Sequence, residues 1–306
     1  MMSKANLFRL LLGLIVFLVF LKWINILDAV KYLSGLNLVS FSLGCLMMAL
    51  SHVIRAIRFH YLAGELSVLI EFRKNVLVHF IVSILGMITP GKLGEGGKVY
   101  LFQNNKKELT FCFILEKLAD LSVLIVFAGL GSLLFKDYIK DTVVFFVILL
   151  VVFVSLFKID KILNLVLRRN IFEDKWFQTN LKRVSYNGFI SLTLTTLVTW
   201  SLTVFAFYLY AASAGVYLTP LFVMQLIGIS TSAGIISGSP GGIGVKEFII
   251  THLLSSYVGI GNSRAGIIAL INTFGTYLTF SVIALCSYYL YLKLYKLPRG
   301  KLYQDV

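Results

Sequence analysis

Four groups of ionisable residues interrupt otherwise apolar sequence, and their spacing makes them the candidates for chemistry. Glu116, Lys117 and Asp120 lie inside the apolar run 109–135, where Glu116 and Asp120 are four apart and share one helix face. Lys92, Glu95 and Lys98 follow a Pro90-Gly91 pair, and Lys246 and Glu247 follow Pro240-Gly241. Arg55 and Arg58 close the run 37–54, about one helical turn apart. An ionised group at the centre of a bilayer costs about 2.5–3.5 kcal/mol on insertion scales, so it persists there only if it pairs or faces water. Mixed signs in one chamber allow pairing when the chamber is empty and exchange onto a zwitterionic or phosphate group when it is occupied. Each group also has a plainer reading. Glu116 and Asp120 could sit near a helix end and reach water, and Arg55 with Arg58 could be a cytoplasmic anchor. Nothing points to covalent or metal chemistry. His52, His60, His79 and His252 form no HxxxH pair, Cys45, Cys112 and Cys286 lie in apolar stretches without CxxC spacing, and there is no Walker loop or GxSxG elbow. No metal and no cofactor is expected.

The elements that must position these residues are membrane helices. Of 306 residues, 58% are hydrophobic and only 14% charged, against roughly a quarter charged in a soluble domain; mean hydropathy is +0.88. A soluble fold of this length needs far more polar surface. The net charge of +14 does not require nucleic acid, because the basic residues cluster in loops, as cytoplasmic retention of Lys and Arg predicts. A spanning helix needs about 20 mostly apolar residues, and six runs are candidates: 5–23, 37–54, 109–135, 142–157, 187–212 and 265–292. The first reads as an uncleaved span rather than a signal peptide, since no small-residue cleavage site follows it and it ends in Lys22-Trp23. The Tyr288, Tyr289, Tyr291 and Tyr295 series with Lys293 and Lys296 reads as an interfacial belt.

Two further apolar runs, 76–89 and 221–238, end in Pro-Gly breaks that match each other: Thr89-Pro90-Gly91-Lys92-Leu93-Gly94 and Ser239-Pro240-Gly241-Gly242-Ile243-Gly244. Equivalent residues are 150 apart (240−90, 241−91, 244−94). Two ordinary turns are the dull alternative. Loop charge then orients the chain. Residues 158–183 carry Lys158, Lys161, Arg168, Arg169, Lys175, Lys182 and Arg183 against Asp160, Glu173 and Asp174, so this loop should be cytoplasmic, with both termini and residues 55–74. The first Pro-Gly hairpin then enters and leaves on the cytoplasmic side and the second on the outside, the pattern of an inverted repeat whose broken helices build a site near the midplane. The fold class expected is an all-α integral membrane protein of about six transmembrane helices plus two re-entrant hairpins. It forms one polytopic domain over 1–306, with repeats at about 37–135 and 187–292 and a cytoplasmic loop at 158–186. Gly91, Gly94, Gly241 and Gly244 should allow the hairpins close backbone contact.

Taken together these residues resemble the transmembrane, flippase-like domain of the lysylphosphatidylglycerol synthase family over about 40–290. Arg55-Ala56-Ile57-Arg58-Phe59 is similar to that family's Arg-x-x-Arg-aromatic helix end. Pro90-Gly91-Lys92-Leu93-Gly94-Glu95 with Lys98 resembles its Pro-Gly-basic-x-Gly-Glu signature. Glu116-Lys117-Leu118-Ala119-Asp120-Leu121 resembles its Glu-Arg-Leu-x-Asp-Leu element, and Pro240-Gly241-Gly242-Ile243-Gly244-Val245 with Glu247 its second signature. Lys117 stands for the usual Arg, Lys246 for a common small residue, and Asn272 where many members carry Arg in the last helix. The soluble aminoacyl-transferase domain has no counterpart here, so the resemblance implies a stand-alone member. It implies translocation of an aminoacylated, glycan-linked or other envelope lipid in the cell membrane, by a protein that is not an enzyme. A membrane-embedded transferase would need a cytoplasmic domain larger than the loop 158–186. The alternatives are a non-transporting partner of envelope-biosynthesis enzymes and a membrane-embedded aminoacyl- or glycosyl-transferase component.

Overall fold

The computed structural model describes residues 18–24, 31–89, 92–102, 105–132, 175–237 and 239–295. Most of the expected span 5–23, the whole span 142–157, the loop from 158 to 174 and the tail after 295 lie outside the described residues, as do Pro90 and Gly91. Among the described residues every element is helical. Eight helices carry the architecture: α1 (Leu38–Glu65), α2 (Phe72–Ile88), α3 (Lys106–Ser132), α4 (Lys175–Arg183), α5 (Tyr186–Ser213), α6 (Pro220–Ile236), α7 (Val245–Val258) and α8 (Asn262–Leu294). A 3-10 turn, Leu93–Gly97, and a short helix, Lys98–Leu101, connect α2 toward α3.

Three of these, α1, α5 and α8, are long and apolar enough to cross a membrane. At 1.5 Å per residue the 28 residues of α1 reach about 42 Å, beyond the roughly 30 Å hydrocarbon core. The 17 residues of α2 and of α6 reach only about 26 Å, short of a full crossing. Helix α3 has the length, with 27 residues, but Glu116, Lys117 and Asp120 break its apolar run. One boundary differs from the sequence expectation. Helix α1 does not stop at residue 54 but continues to Glu65, so Arg55 and Arg58 lie within it, 7% and 2% exposed. Carboxylates on α3 meet both guanidinium groups, which removes the reason to end the helix at the membrane surface.

The two halves of the chain repeat each other locally. Helices α1 and α5 are both 28 residues long and start 148 apart (186−38); α2 and α6 are both 17 long and also start 148 apart (220−72). The caps repeat too. Asn37 caps α1 by accepting from the Ser40 N–H, and Ser185 caps α5 by accepting from the Gly188 N–H. At the other ends Val68 N–H reaches the Ala63 carbonyl and Ser67 N–H that of Gly64, while Val216 N–H reaches Ala211 and Gly215 N–H reaches Ala212. Both are Schellman closures, with left-handed Ser67 (φ 61) and Gly215 (φ 70) as the turning residues. Packing crosses between the halves. Helix α1 lies along α5, α2 packs chiefly on α8, and α6 chiefly on α3. The α6–α3 approach depends on Gly228, where a Cβ would stand 2.7 Å from the Leu124 carbonyl oxygen. Three apolar clusters fill the interior, each drawing on both halves, the third around Tyr210, Met87 and Phe280.

Candidate functional site

Arg55 and Arg58, three apart on α1, face Glu116 and Asp120, four apart on α3. Arg55 Nη1 donates to Asp120 Oδ2 at 2.9 Å. Arg58 donates from Nη1 to Asp120 Oδ1 at 2.9 Å and to Thr196 Oγ1 at 2.7 Å, and from Nε to Glu116 Oε1 at 3.2 Å. Trp200, one turn after Thr196 on α5, donates its indole N–H to Asp120 Oδ1 at 3.1 Å, and its ring lies 4.9 Å from the Arg55 guanidinium. Lys98 bonds the other Glu116 oxygen and sits 3.8 Å from the centre of the Phe59 ring. Lys117 bonds Glu95 and comes within 4.0 Å of Asp120. Four cations and three carboxylates are thus interlocked, leaving the network one positive charge in excess. Arg58, Lys98 and Glu116 are each 2% exposed. Ions this deep are held by one another, which is the condition for their persistence.

A cavity lies beside this network, at the level of the Pro-Gly breaks. Both halves build it: His52, Lys92 and Glu95 from the first, Gly241, Lys246, Glu247, Thr273 and Tyr277 from the second. Its volume is ≈ 50 Å³, roomy enough for water. The breaks touch here, since a Cβ on Gly241 (φ +61) would stand 2.6 Å from the Met87 carbonyl oxygen. Glu247 starts α7, taking the Gly244 N–H at 2.6 Å on one carboxylate oxygen and the Thr273 hydroxyl on the other. Glu95 joins cavity and network, lining the first while bonded to Lys117 in the second.

The signature residues therefore separate into two sets rather than one chamber. Lys92, Glu95, Gly241 and Glu247 line the cavity. Arg55, Arg58, Lys98, Glu116, Lys117 and Asp120 form the interlocked network and, with their charges mutually engaged, do not line it. Pro240 immediately precedes the Gly241 contact. Gly94 packs against the Leu85 carbonyl of its own half, not against the other hairpin, and takes its N–H to Thr89 Oγ1 at 2.7 Å. Gly244 (φ 87) serves as the turn into α7. Asn272 is 1% exposed, with its Nδ2 buried and unpartnered, and stays off the cavity wall.

Residues 6–284 match the lysylphosphatidylglycerol synthase TM region. The chain belongs to that family. No curated protein matches it. Family membership and the long apolar helices make it a multi-pass membrane protein.

Sequence reasoning missed several of this family member's site residues. His52 lies three residues before Arg55, the spacing that Arg55 itself has to Arg58, and is 8% exposed on the cavity wall. His79 and Ser83, four apart on α2, both reach His52 Nδ1 at 3.3 Å. Thr196 and Trp200 repeat that spacing on α5. Each pair has a helical period that was readable; what was missing was the facing element.

Proposed function

We propose that this protein is a lipid transporter that moves a charged or zwitterionic headgroup across the cell membrane between two re-entrant hairpins, while the acyl tails remain in the bilayer. The observation that carries the reading is a polar cavity walled by both Pro-Gly breaks, with Lys92 and Glu95 from one half and Lys246 and Glu247 from the other. Half-length helices ending at such breaks are the usual builders of a midplane substrate site, and non-helical backbone is tolerated at that depth only where it is enclosed by protein or lines a cavity. The repeated helix lengths, caps and 148-residue offset support two repeats, and the loop charges support their inverted arrangement with six full spans and both termini cytoplasmic. The chain acts as a transporter rather than an enzyme, with a membrane phospholipid or lipid-linked substrate as its partner.

Reconstitution tests this directly. The purified full-length protein is placed in liposomes carrying headgroup-labelled lipids, and an impermeant quencher reads the outer leaflet over time. At least one anionic, zwitterionic or aminoacylated phospholipid should equilibrate faster than in protein-free liposomes. If none does, transport is excluded and the chain is a non-transporting partner in envelope-lipid synthesis.

A further inference from the structure

The cavity wall carries donors that have no acceptor among the described residues. Among the described residues, the side chains of Lys92 and Lys246 make no hydrogen bond or ion pair, unlike Lys98 and Lys117 next door. The Tyr277 hydroxyl is buried without a partner. His52 adds another. His79 Nδ1 is buried and unpartnered, and an unpaired lone pair is tolerated there better than an unpaired N–H. The His79 proton therefore sits on Nε2 and is donated to His52 Nδ1, 3.3 Å away. That puts the His52 proton on Nε2, for which the described residues supply no hydrogen-bond acceptor.

Each carboxylate of the same wall already holds at least one donor. Both oxygens of Glu247 are bonded, to Gly244 N–H and Thr273, and Glu95 is bonded to Lys117. Lys92 also holds a left-handed backbone (φ 58, ψ 24), uncommon for a residue with a side chain. Strain of this kind, where the surroundings enforce it, clusters at ligand sites.

We propose that the cavity is an anion site that takes the phosphate of a lipid headgroup in preference to a cationic, aminoacylated headgroup. The proposal rests on the transport reading and names its substrate class. Lys92 and Lys246 approach the phosphate from opposite repeats, and Tyr277 and His52 supply neutral donors. A headgroup ammonium would meet two unpaired lysines, whose charge exceeds the single negative charge of Glu247.

The test is calorimetric titration of the intact protein in neutral-detergent micelles with glycerol phosphate, lysine methyl ester and dioctanoyl phosphatidylglycerol. Glycerol phosphate should bind and lysine methyl ester should not. Lys92→Gln and Lys246→Gln should each weaken binding about tenfold, the loss of one charge-assisted hydrogen bond. Tyr277→Phe should weaken it a few-fold, as for a neutral bond. Lys92→Arg, which keeps the charge, should retain binding and so shows that the Gln effect is not misfolding. Preference for lysine methyl ester, or undiminished phosphate binding in the double variant K92Q/K246Q, overturns the anion site. Dioctanoyl phosphatidylglycerol should displace glycerol phosphate; if it does not, the site serves a soluble phosphate ester and the lipid assignment fails. The two readings fail separately. Glycerol phosphate binding at the lysine pair with no lipid moved in liposomes sinks transport alone. Liposomes that move lysylphosphatidylglycerol but not phosphatidylglycerol sink the anion preference alone.

Discussion

Replacing Asp120 by Asn should unfold this protein far more readily than any change at the cavity. Asp120 accepts from Arg55 at 2.9 Å, from Arg58 at 2.9 and 3.4 Å and from Trp200 at 3.1 Å, and its side chain is only 7% exposed. In Asp120→Asn one acceptor oxygen becomes an amide that points N–H groups at guanidinium donors. The network's excess charge rises from one to two around a side chain only 7% exposed. Removing one partner of a buried ion pair costs about 3–5 kcal/mol, a shift of about two to three and a half powers of ten in the folded-to-unfolded ratio. Arg55→Met is the milder partner change: it neutralises the excess, and Asp120 keeps Arg58 and Trp200. Combining the two should recover part of the Asn penalty, with a coupling of about 0.5–3 kcal/mol. SDS-titrated unfolding in mixed micelles, followed by tryptophan fluorescence, measures this, and Trp200 sits at the reporting position. A cost under about 1 kcal/mol, the range of exposed ion pairs, would mean that the network is hydrated and that Asp120 is free to serve as a ligand group.

Other changes should sort by which set they touch. Glu116→Gln strips Arg58 and Lys98 of a shared carboxylate and should lower stability by about 3 kcal/mol or more, seen as loss of folded protein in membranes; a fully stable variant with slowed transport would instead return Glu116 to the transport site. Glu247→Gln should reach the membrane folded, since its amide can accept from the Gly244 N–H and donate to the Thr273 hydroxyl, but move lipid more slowly for want of the carboxylate's charge at the cavity; wild-type transport rates would make Glu247 purely a helix cap. Gly241→Ala, at φ +61 and against the Met87 carbonyl, should cost about 1–3 kcal/mol, read as a lower melting temperature in micelles, and an unchanged value would refute close contact between the two breaks. A cysteine at Asn170 should resist an impermeant thiol reagent in intact cells, as a cytoplasmic loop requires; rapid labelling there reverses the orientation.

Much of the scaffold was written in local signals. Asn37 before α1 and Ser185 before α5 are ordinary capping residues ahead of apolar runs, and the Pro-Gly breaks mark the ends of two helices too short to cross. The repeat was legible through those breaks at an offset of 150, whereas the helices themselves are offset by 148. The difference sits between Ile236 and Pro240, where the second half has two residues more than the first has between Ile88 and Pro90. That insertion does not disturb the helix phase, because it falls after α6 has ended.

The division of the charged residues into a scaffold and a cavity was not legible, and the reason is geometric. Sequence spacing shows that Arg55 and Arg58, or Glu116 and Asp120, share a face of their own helix. It carries no information on the rotation of one helix about its axis relative to the next, and that rotation decides whether a charge meets an opposite charge or an open space. Lys98 and Lys92 illustrate it. Both follow the same Pro-Gly break, six residues apart, and both were equal candidates for binding. The 3-10 turn Leu93–Gly97 leads into the short helix that carries Lys98 onto Glu116, whereas the left-handed backbone at Lys92 keeps its ammonium on the cavity wall. The lysine that found a carboxylate became structure. The one that did not remains available, and with Lys246 in the same condition on the opposite break, the two lysines outweigh the charge of Glu247 on the cavity wall.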